Sequence, residues 1–420
     1  MSEITLVALS DAILRGEEKI TDHHPFRPSN RLEEVGDGVA FVESFANVTA
    51  VATPDGLCLV DTGSIFSAPA IHTAVRSWSK ERATTAVYTH GHIDHVFGTA
   101  AFEAEGPMQV IGHDGVAPRF DRYRKTAGYN AVINQRQFQA PGLKWPLEYR
   151  QPDVTYTDRL DLDLGGVSVE LHHARGETDD HTWVWVPERR TLCTGDLVIW
   201  CTPNAGNPQK VQRYAEDWAV ALRAMAALNP EVLLPGHGLP IAGANNVRMV
   251  LLDTAMMLES LATQTLALMN EGARLNDIIH SVRPPAELID KPYLRPIYDD
   301  PEFIVRNLWR LYGGWYDGNP AELKPARESA LAIEVATMAG GADVLARRAI
   351  ELASSGEDED LRLAGHLAEY AALAAPDSAT THRARAEVFR LRAEAEPSLM
   401  AKGVFTWAEA ESQRRADELK

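Results

Sequence analysis

The chain has 420 residues, enough for two or three domains, and its 45% hydrophobic content is that of an ordinary globular protein. Asp and Glu number 59 against 41 Lys and Arg, a formal charge of -18 that repels phosphate backbones and anionic lipid headgroups and counts against nucleic-acid or membrane partners. Cys58, Cys193 and Cys201 are too few and too scattered for a disulfide framework. The first twenty residues have no continuous apolar run of the secretory kind, and no stretch reaches the ~18 apolar residues of a membrane span. A reducing, cytoplasmic setting is expected.

Short apolar runs at 39–42, 48–52 and 57–60 read as strands, with Pro54-Asp55-Gly56 as the turn between the last two. Residues 68–80 carry a helical period, and 86–89 form a strand that stops at a histidine. Gly165-Gly166 separates two strand-like runs, 159–164 and 167–171, as in a hairpin. Further strands are expected at 182–186, 191–194 and 232–234, with a helix at 214–228. This is a layered α/β pattern. Past residue 245 the strand patterns vanish. Residues 247–269 form a long Leu- and Met-rich helical run. From Pro325, Ala- and Leu-rich helices are broken at 340–341, 354–357 and 376–377, spacings suited to packed helix pairs of the tetratricopeptide kind. The expected division is an α/β catalytic domain over 1–245 and an all-α domain over 246–420.

The segment Thr89-His90-Gly91-His92-Ile93-Asp94-His95 concentrates three imidazoles and a carboxylate directly after an apolar strand. Zinc accepts both ligand types at ~2.0–2.2 Å. Residues two apart in an extended loop project to the same side, so His90 and His92 suit one ion, while the following turn carries Asp94 and His95 toward a second. A lone histidine is more often a solvated or capping residue, but a cluster of this density is not.

The pattern H-x-H-x-D-H resembles the metallo-β-lactamase superfamily, and the remaining motifs of that family follow in order. Val60-Asp61-Thr62-Gly63 is similar to the first motif, whose Asp supports the histidine loop, so Asp61 is expected behind the ligands. Cys193-Thr194-Gly195-Asp196 matches the fourth motif and Leu234-Pro235-Gly236-His237-Gly238 the last. The third motif normally supplies a histidine; here Glu177 takes its place in His173-Ala174-Arg175-Gly176-Glu177-Thr178-Asp179-Asp180-His181. A carboxylate at that position resembles the type III alkylsulfatases. The resemblance implies an αββα sandwich followed by a helical domain. It also implies two ions: one on His90, His92 and Glu177, the other on Asp94, His95 and His237, with Asp196 shared. His173 or His181 in place of Glu177 stays an open alternative. Zinc suits the imidazoles, and manganese or iron would accept the carboxylates.

The segment 306–321, with Trp309, Leu311, Tyr312, Trp315 and Tyr316 around Gly313-Gly314, is similar to the opening of the alkylsulfatase dimerisation domain. Together with the apolar helix at 247–269 it implies a homodimer. For any single aromatic residue, core packing is the commoner role. The lipid-carrier-like C-terminal domain of longer family members is expected to be missing.

The family resemblance implies hydrolysis of alkyl sulfate esters by a metal-bound hydroxide, because metal binding lowers the pKa of water from ~15.7 toward 7. Asp94 is expected to orient that nucleophile. Asn204, with Lys210 or Arg213, is expected to meet the sulfate, and His181 to protonate the leaving group. The stretch 178–181 departs from the alkylsulfatases, whose counterpart is small and apolar, which leaves an ester, lactone or β-lactam substrate as the second reading. A non-catalytic binding protein is the third; it has no use for so complete a ligand set.

Overall fold

A computed structural model describes residues 4–26 and 29–420. The chain forms two compact units, one made of 1–126 with 146–314 and the other of 127–145 with 315–420.

The first unit is built on two sheets. One has seven strands in chain order: β1 (Arg31–Gly36), β2 (Val39–Glu43), β3 (Val48–Thr53), β4 (Gly56–Val60), β5 (Ala83–Val87), β6 (Gln109–His113) and β7 (Val154–Tyr156). The first four pair antiparallel, and β4 to β7 run parallel. The second sheet holds β8 (Arg159–Asp163), β9 (Ser168–His173), β10 (Thr182–Val186), β11 (Thr191–Ile199), β12 (Val232–His237) and β13 (Ile241–Ala242). All its neighbours are antiparallel except β11 and β12. Every residue of β2, β4, β10 and β11 is buried. Strands covered on both faces read as continuous apolar runs rather than alternating ones, and that is how 39–42, 57–60 and 182–186 read. The sheets face each other with helices outside, the αββα sandwich expected. Cross-sheet bonds fix the pairing: the Asn47 amide donates to the Pro235 and Gly238 carbonyls at 2.9 Å each.

Most expected strands are present, and the differences bear on the centre. The strand expected at 86–89 ends at Val87, which releases residues 88–92 as a loop. The strand expected at 191–194 continues to Ile199, so Asp196 lies within β11, where the register against β12 slips between Cys193 and Ile199. The helical run at 247–269 forms the Ala244–Asn270 helix, but its apolar side (Val250, Leu251, Leu258, Leu261) is buried within the first unit, against the Ala215–Ala227 helix. It is not a free surface, so it lends no support to a dimer. The aromatic group also divides: the Pro301–Gly313 helix belongs to the first unit, while Tyr312, Trp315 and Tyr316 are exposed rather than clustered in a core.

In the second unit the Ala-rich runs form the helices Glu328–Ala339, Ala342–Ala353, Asp358–Ala374, Ala379–Ala395 and Leu399–Glu418, broken where the sequence predicts. Alanines carry the packing: Ala349, Ala364 and Ala368 meet Leu352, Leu361 and Val388 in one cluster, and Ala336, Ala346, Ala371 and Ala384 meet Leu345 in another. No single described helix is long and apolar enough to cross a membrane.

Candidate metal centre

The centre lies where the loops leaving β4, β5 and β9 meet β11 and the end of β12. Asp61, just past β4, has φ of 60°, a backbone conformation that is uncommon for a residue with a side chain. Its side chain organises the histidine loop. Oδ1 accepts from the Thr89 amide at 2.7 Å, and Oδ2 accepts from the Thr89 hydroxyl at 2.8 Å. Oδ2 also stands 2.7 Å from His95 Nδ1, which donates to it. That bond fixes the imidazole tautomer and leaves His95 Nε2 with a free lone pair. His237 is fixed the same way, its Nδ1 donating to the Phe45 carbonyl.

Two groups of side chains result. His90, His92, Glu177 and Asp196 each bring a ligand atom within 4.8 Å of the others, and so do Asp94, His95 and His237. Atoms about 2.1 Å from one tetrahedral ion stand roughly 3.4 Å from one another. Glu177 Oε2 is 3.5 Å from His90 Nε2 and 3.4 Å from His92 Nδ1. Asp196 lies between the groups, with Oδ1 3.3 Å from His95 Nε2 and Oδ2 3.3 Å from His237 Nε2 and 3.8 Å from His90 Nε2. His95 Nε2, Glu177 Oε2 and Asp196 Oδ1 are buried without a hydrogen-bond partner. Buried polar atoms are rarely left in that state, and these three belong to side chains of the two groups. The donor set therefore fits divalent metal ions.

Packing leaves no slack around these atoms. A Cβ on Gly236 would lie 2.1 Å from Asp196 Oδ1, so the glycine before His237 is what allows β12 to approach the shared carboxylate. Burial works to raise the Asp196 carboxyl, but His237 and His95 hold it well below the usual range. His95 answers in the opposite sense: burial lowers it, and Asp196 and Asp61 raise it.

Glu177 is supported by one amide and one cation. Its Oε1 accepts from the Asn204 amide and lies 2.5 Å from Arg213 Nη1, which also donates to the Asn204 carbonyl at 2.8 Å. Burial would raise the Glu177 carboxyl, yet Arg213, with His92, brings it below its ordinary value. Asn204 and Arg213, expected at a substrate sulfate, are thus engaged with Glu177 itself. Lys210 is half-buried; burial and then Arg213 push its ammonium down to about 8, while Asp94 and Glu177 pull the other way.

Other expectations need correction. His181 lacks the open position a proton donor needs: it is fully buried, stacked on His90 at 4.6 Å, with Nε2 3.1 Å from the Thr194 carbonyl. It belongs to neither ligand group, and nor does His173, which stacks on His113 at 3.7 Å with Nδ1 3.0 Å from the His181 carbonyl. The open side of the centre is at Asp94 and His92, whose side chains are 23% and 18% exposed.

Two supports escape a reading by motif. Asp180 is fully buried; its Oδ2 accepts from the Gly91 amide at 2.9 Å and its Oδ1 from Arg119 Nε at 2.8 Å. The pair clamps the residue between His90 and His92. Phe26 packs on His237 at 4.5 Å and on Tyr298 at 4.1 Å, giving that side of the centre an apolar wall. Asp180 falls in the stretch that departs from the alkylsulfatases, which was its one visible sign; Arg119 and Phe26 had none.

Residues 42–237 match the family model of the metallo-beta-lactamase superfamily, and residues 274–415 match that of alkyl sulfatase dimerisation. A linear primary-alkylsulfatase of Pseudomonas sp. is 25% identical over 81% of this chain and 69% of its own length. An (R)-specific secondary-alkylsulfatase of Pseudomonas sp. is 26% identical over 79% of this chain and 54% of its own. In structure, the chain superimposes on a stereoselective inverting sec-alkylsulfatase from Pseudomonas sp. with a TM-score of 0.80 over 92% of this chain and 65% of that one, at 23% identity. The chain thus spans between about half and about two-thirds of the length of these relatives.

Proposed function

We propose, from the match of residues 42–237 to the metallo-beta-lactamase superfamily and of residues 274–415 to alkyl sulfatase dimerisation, that the chain is a binuclear metal-dependent hydrolase of alkyl sulfate esters. The observation that carries the reading is the pairing, in one chain, of a centre whose third ligand position is the carboxylate Glu177 with the alkyl sulfatase dimerisation match. The proposed ligands are His90, His92 and Glu177 for one ion and Asp94, His95 and His237 for the other, with Asp196 shared. Zinc is the proposed metal. Bound there, such ions supply an acidified water and positive charge opposite the group being cleaved.

The chain's own residues do the rest. Asp94, on the open side, accepts a hydrogen bond from the attacking water and aims it. Lys210 places positive charge beside the centre, where an anionic ester needs it despite the acidic chain. Asn204 and Arg213 hold Glu177 by one oxygen, leaving the other for the ion. Phe26 and Tyr298 offer an apolar face to the alkyl group. Water and the ester give an alcohol and hydrogen sulfate.

The functional division expected at 1–245 and 246–420 is proposed with its boundary moved: residues 246–314 pack in the catalytic unit, and dimerisation is proposed for the helices after residue 314. The homodimer is proposed to form through the Glu328–Ala339 helix, on which Leu331, Ile333 and Met338 are 45%, 53% and 73% exposed. The three unpaired cysteines support a cytoplasmic setting. The test is release of inorganic sulfate from short and medium alkyl sulfates by metal-loaded protein, run beside lactone and chromogenic β-lactam assays. Sulfate release is expected; turnover of only the carbonyl substrates would refute the sulfatase reading.

A further inference from the structure

The loop 204–213 carries both groups that grip Glu177, and it is held from a distant part of the chain. Asp299 is fully buried. Its Oδ2 accepts from the amides of Gly206 at 2.8 Å and Asn207 at 3.3 Å. Asn307, in the middle of the Pro301–Gly313 helix, is also buried. Its amide nitrogen has two hydrogens and spends one on each end of the loop, donating to the Ala205 carbonyl at 2.8 Å and the Arg213 carbonyl at 2.9 Å. Its oxygen accepts from Arg310 Nη2 at 2.8 Å, and Arg310 also reaches the Gln212 side chain at 3.1 Å and the Lys210 carbonyl at 3.3 Å. The contact is close as well as polar: a Cβ on Gly206 would lie 2.4 Å from the Phe303 backbone. The helix is fixed in its own right, with Asp300 capping it and Pro301 at its first position.

These bonds form one path, from the helix to both ends of the loop, from Asn204 and Arg213 to Glu177 Oε1, and from Glu177 to the first ligand group. Residues 299 to 310 lie in the segment that matches the dimerisation model, yet they pack in the catalytic unit. We propose that Asn307, with Asp299 and Arg310, is a positioning residue of the metal centre: it sets Asn204 and Arg213, and through them the orientation of Glu177. The inference rests on the proposed ligand role of Glu177 but not on the identity of the substrate.

A carboxylate ligand whose supporting partner is displaced by a fraction of an ångström binds its ion less well; losing such support typically costs 10–100-fold in metal affinity. The test is chelator competition on metal-loaded full-length protein, with the two ions followed separately, for wild type, Asn307→Ala and Arg310→Ala. In Asn307→Ala, one ion is expected to leave at about tenfold lower chelator concentration, with the other unmoved. Amide hydrogen exchange should quicken across 204–213 and not across 90–96. Arg310 is exposed and its variant will fold; it should show the same pattern at about threefold. If alkyl sulfates prove to be substrates, KM should rise more than kcat falls. Absence of sulfate release would overturn the substrate reading and leave the chelator result to judge this one. Equal release of both ions, or unchanged affinity in both variants with only a lower Tm, would overturn the positioning role.

Discussion

The two ligand groups of the centre are supported in different ways. His95 and His237 are each fixed by one hydrogen bond on the nitrogen that faces away from the ion, to Asp61 and to the Phe45 carbonyl. Glu177 is fixed on its outer oxygen by an amide and a guanidinium, and these in turn hang from a helix about a hundred residues further on. The ligand types account for the difference. A neutral imidazole needs only an acceptor for its spare N–H. A buried carboxylate puts a charged oxygen behind the ion, and burial drives its pKa upward. A carboxylate in the proposed ligand position of Glu177 gains from a cation on its outer oxygen, and Arg213 Nη1 stands 2.5 Å from it.

The largest effect is expected where the two groups meet. Asp196→Ala should lower the content of both ions and abolish turnover, because its carboxylate is the one side chain placed between them. Elemental analysis after metal loading checks this, and retention of two ions would remove Asp196 from the ligand set.

The comparison itself is tested by a double-mutant cycle. Arg213→Ala removes one partner of a buried ion pair, a change that typically destabilises by about 3–5 kcal/mol. With Glu177→His in the same chain there is no buried carboxylate to compensate, so the added cost of losing Arg213 should shrink to about 1 kcal/mol. Denaturant unfolding of the four proteins measures the coupling. Additive costs would show that Arg213 serves something other than the Glu177 charge. On the other side, Asp61→Asn should weaken the ion at His95 and His237 by about 10–100-fold, and weaken the Glu177 group less, because Asp61 reaches His90 only through the Thr89 hydroxyl. Loss of both ions together would break the separation drawn here.

How far this was visible in the sequence follows from the same contrast. His90, His92, Asp94, His95, Asp196 and His237 stand in short motifs in a fixed order along the chain, so the motifs alone singled them out. Asp61 was marked because it sits in such a motif. The supports of Glu177 were not marked, because they depend on how the 299–307 segment docks on the 204–213 loop, and no local pattern encodes that contact. Asn204 and Arg213 were singled out, but for the substrate, since a sequence shows that a cation is near a site and not which anion it faces. His181 was singled out for its chemistry, and its burial against Thr194 depends on the pairing of β10 with β11. The sandwich was legible from apolar runs. The place of the 247–269 helix was not, because an apolar face looks the same whether a partner subunit or its own unit covers it.

The smallest effect on chemistry is expected at the Glu328–Ala339 helix. Its mean composition is apolar on all sides, yet only Ala332 and Ala336 are buried. Leu331 and Met338, seven residues apart on one face, and Ile333 on another face are left to water, and this helix is the proposed association surface. Ile333→Glu with Met338→Glu adds two charges there without touching a buried residue, so the fold of the chain should be unchanged. Light scattering should then move from about twice the 46.2 kDa chain mass to the chain mass itself. Metal content should stay the same, and kcat/KM should remain within about threefold, because no ligand or ligand support lies on this helix. A variant that stays dimeric would place the interface elsewhere. A variant that becomes monomeric and also loses an ion would show that association reaches the centre, and would tie the helical region to the metal site by a second route besides Asn307.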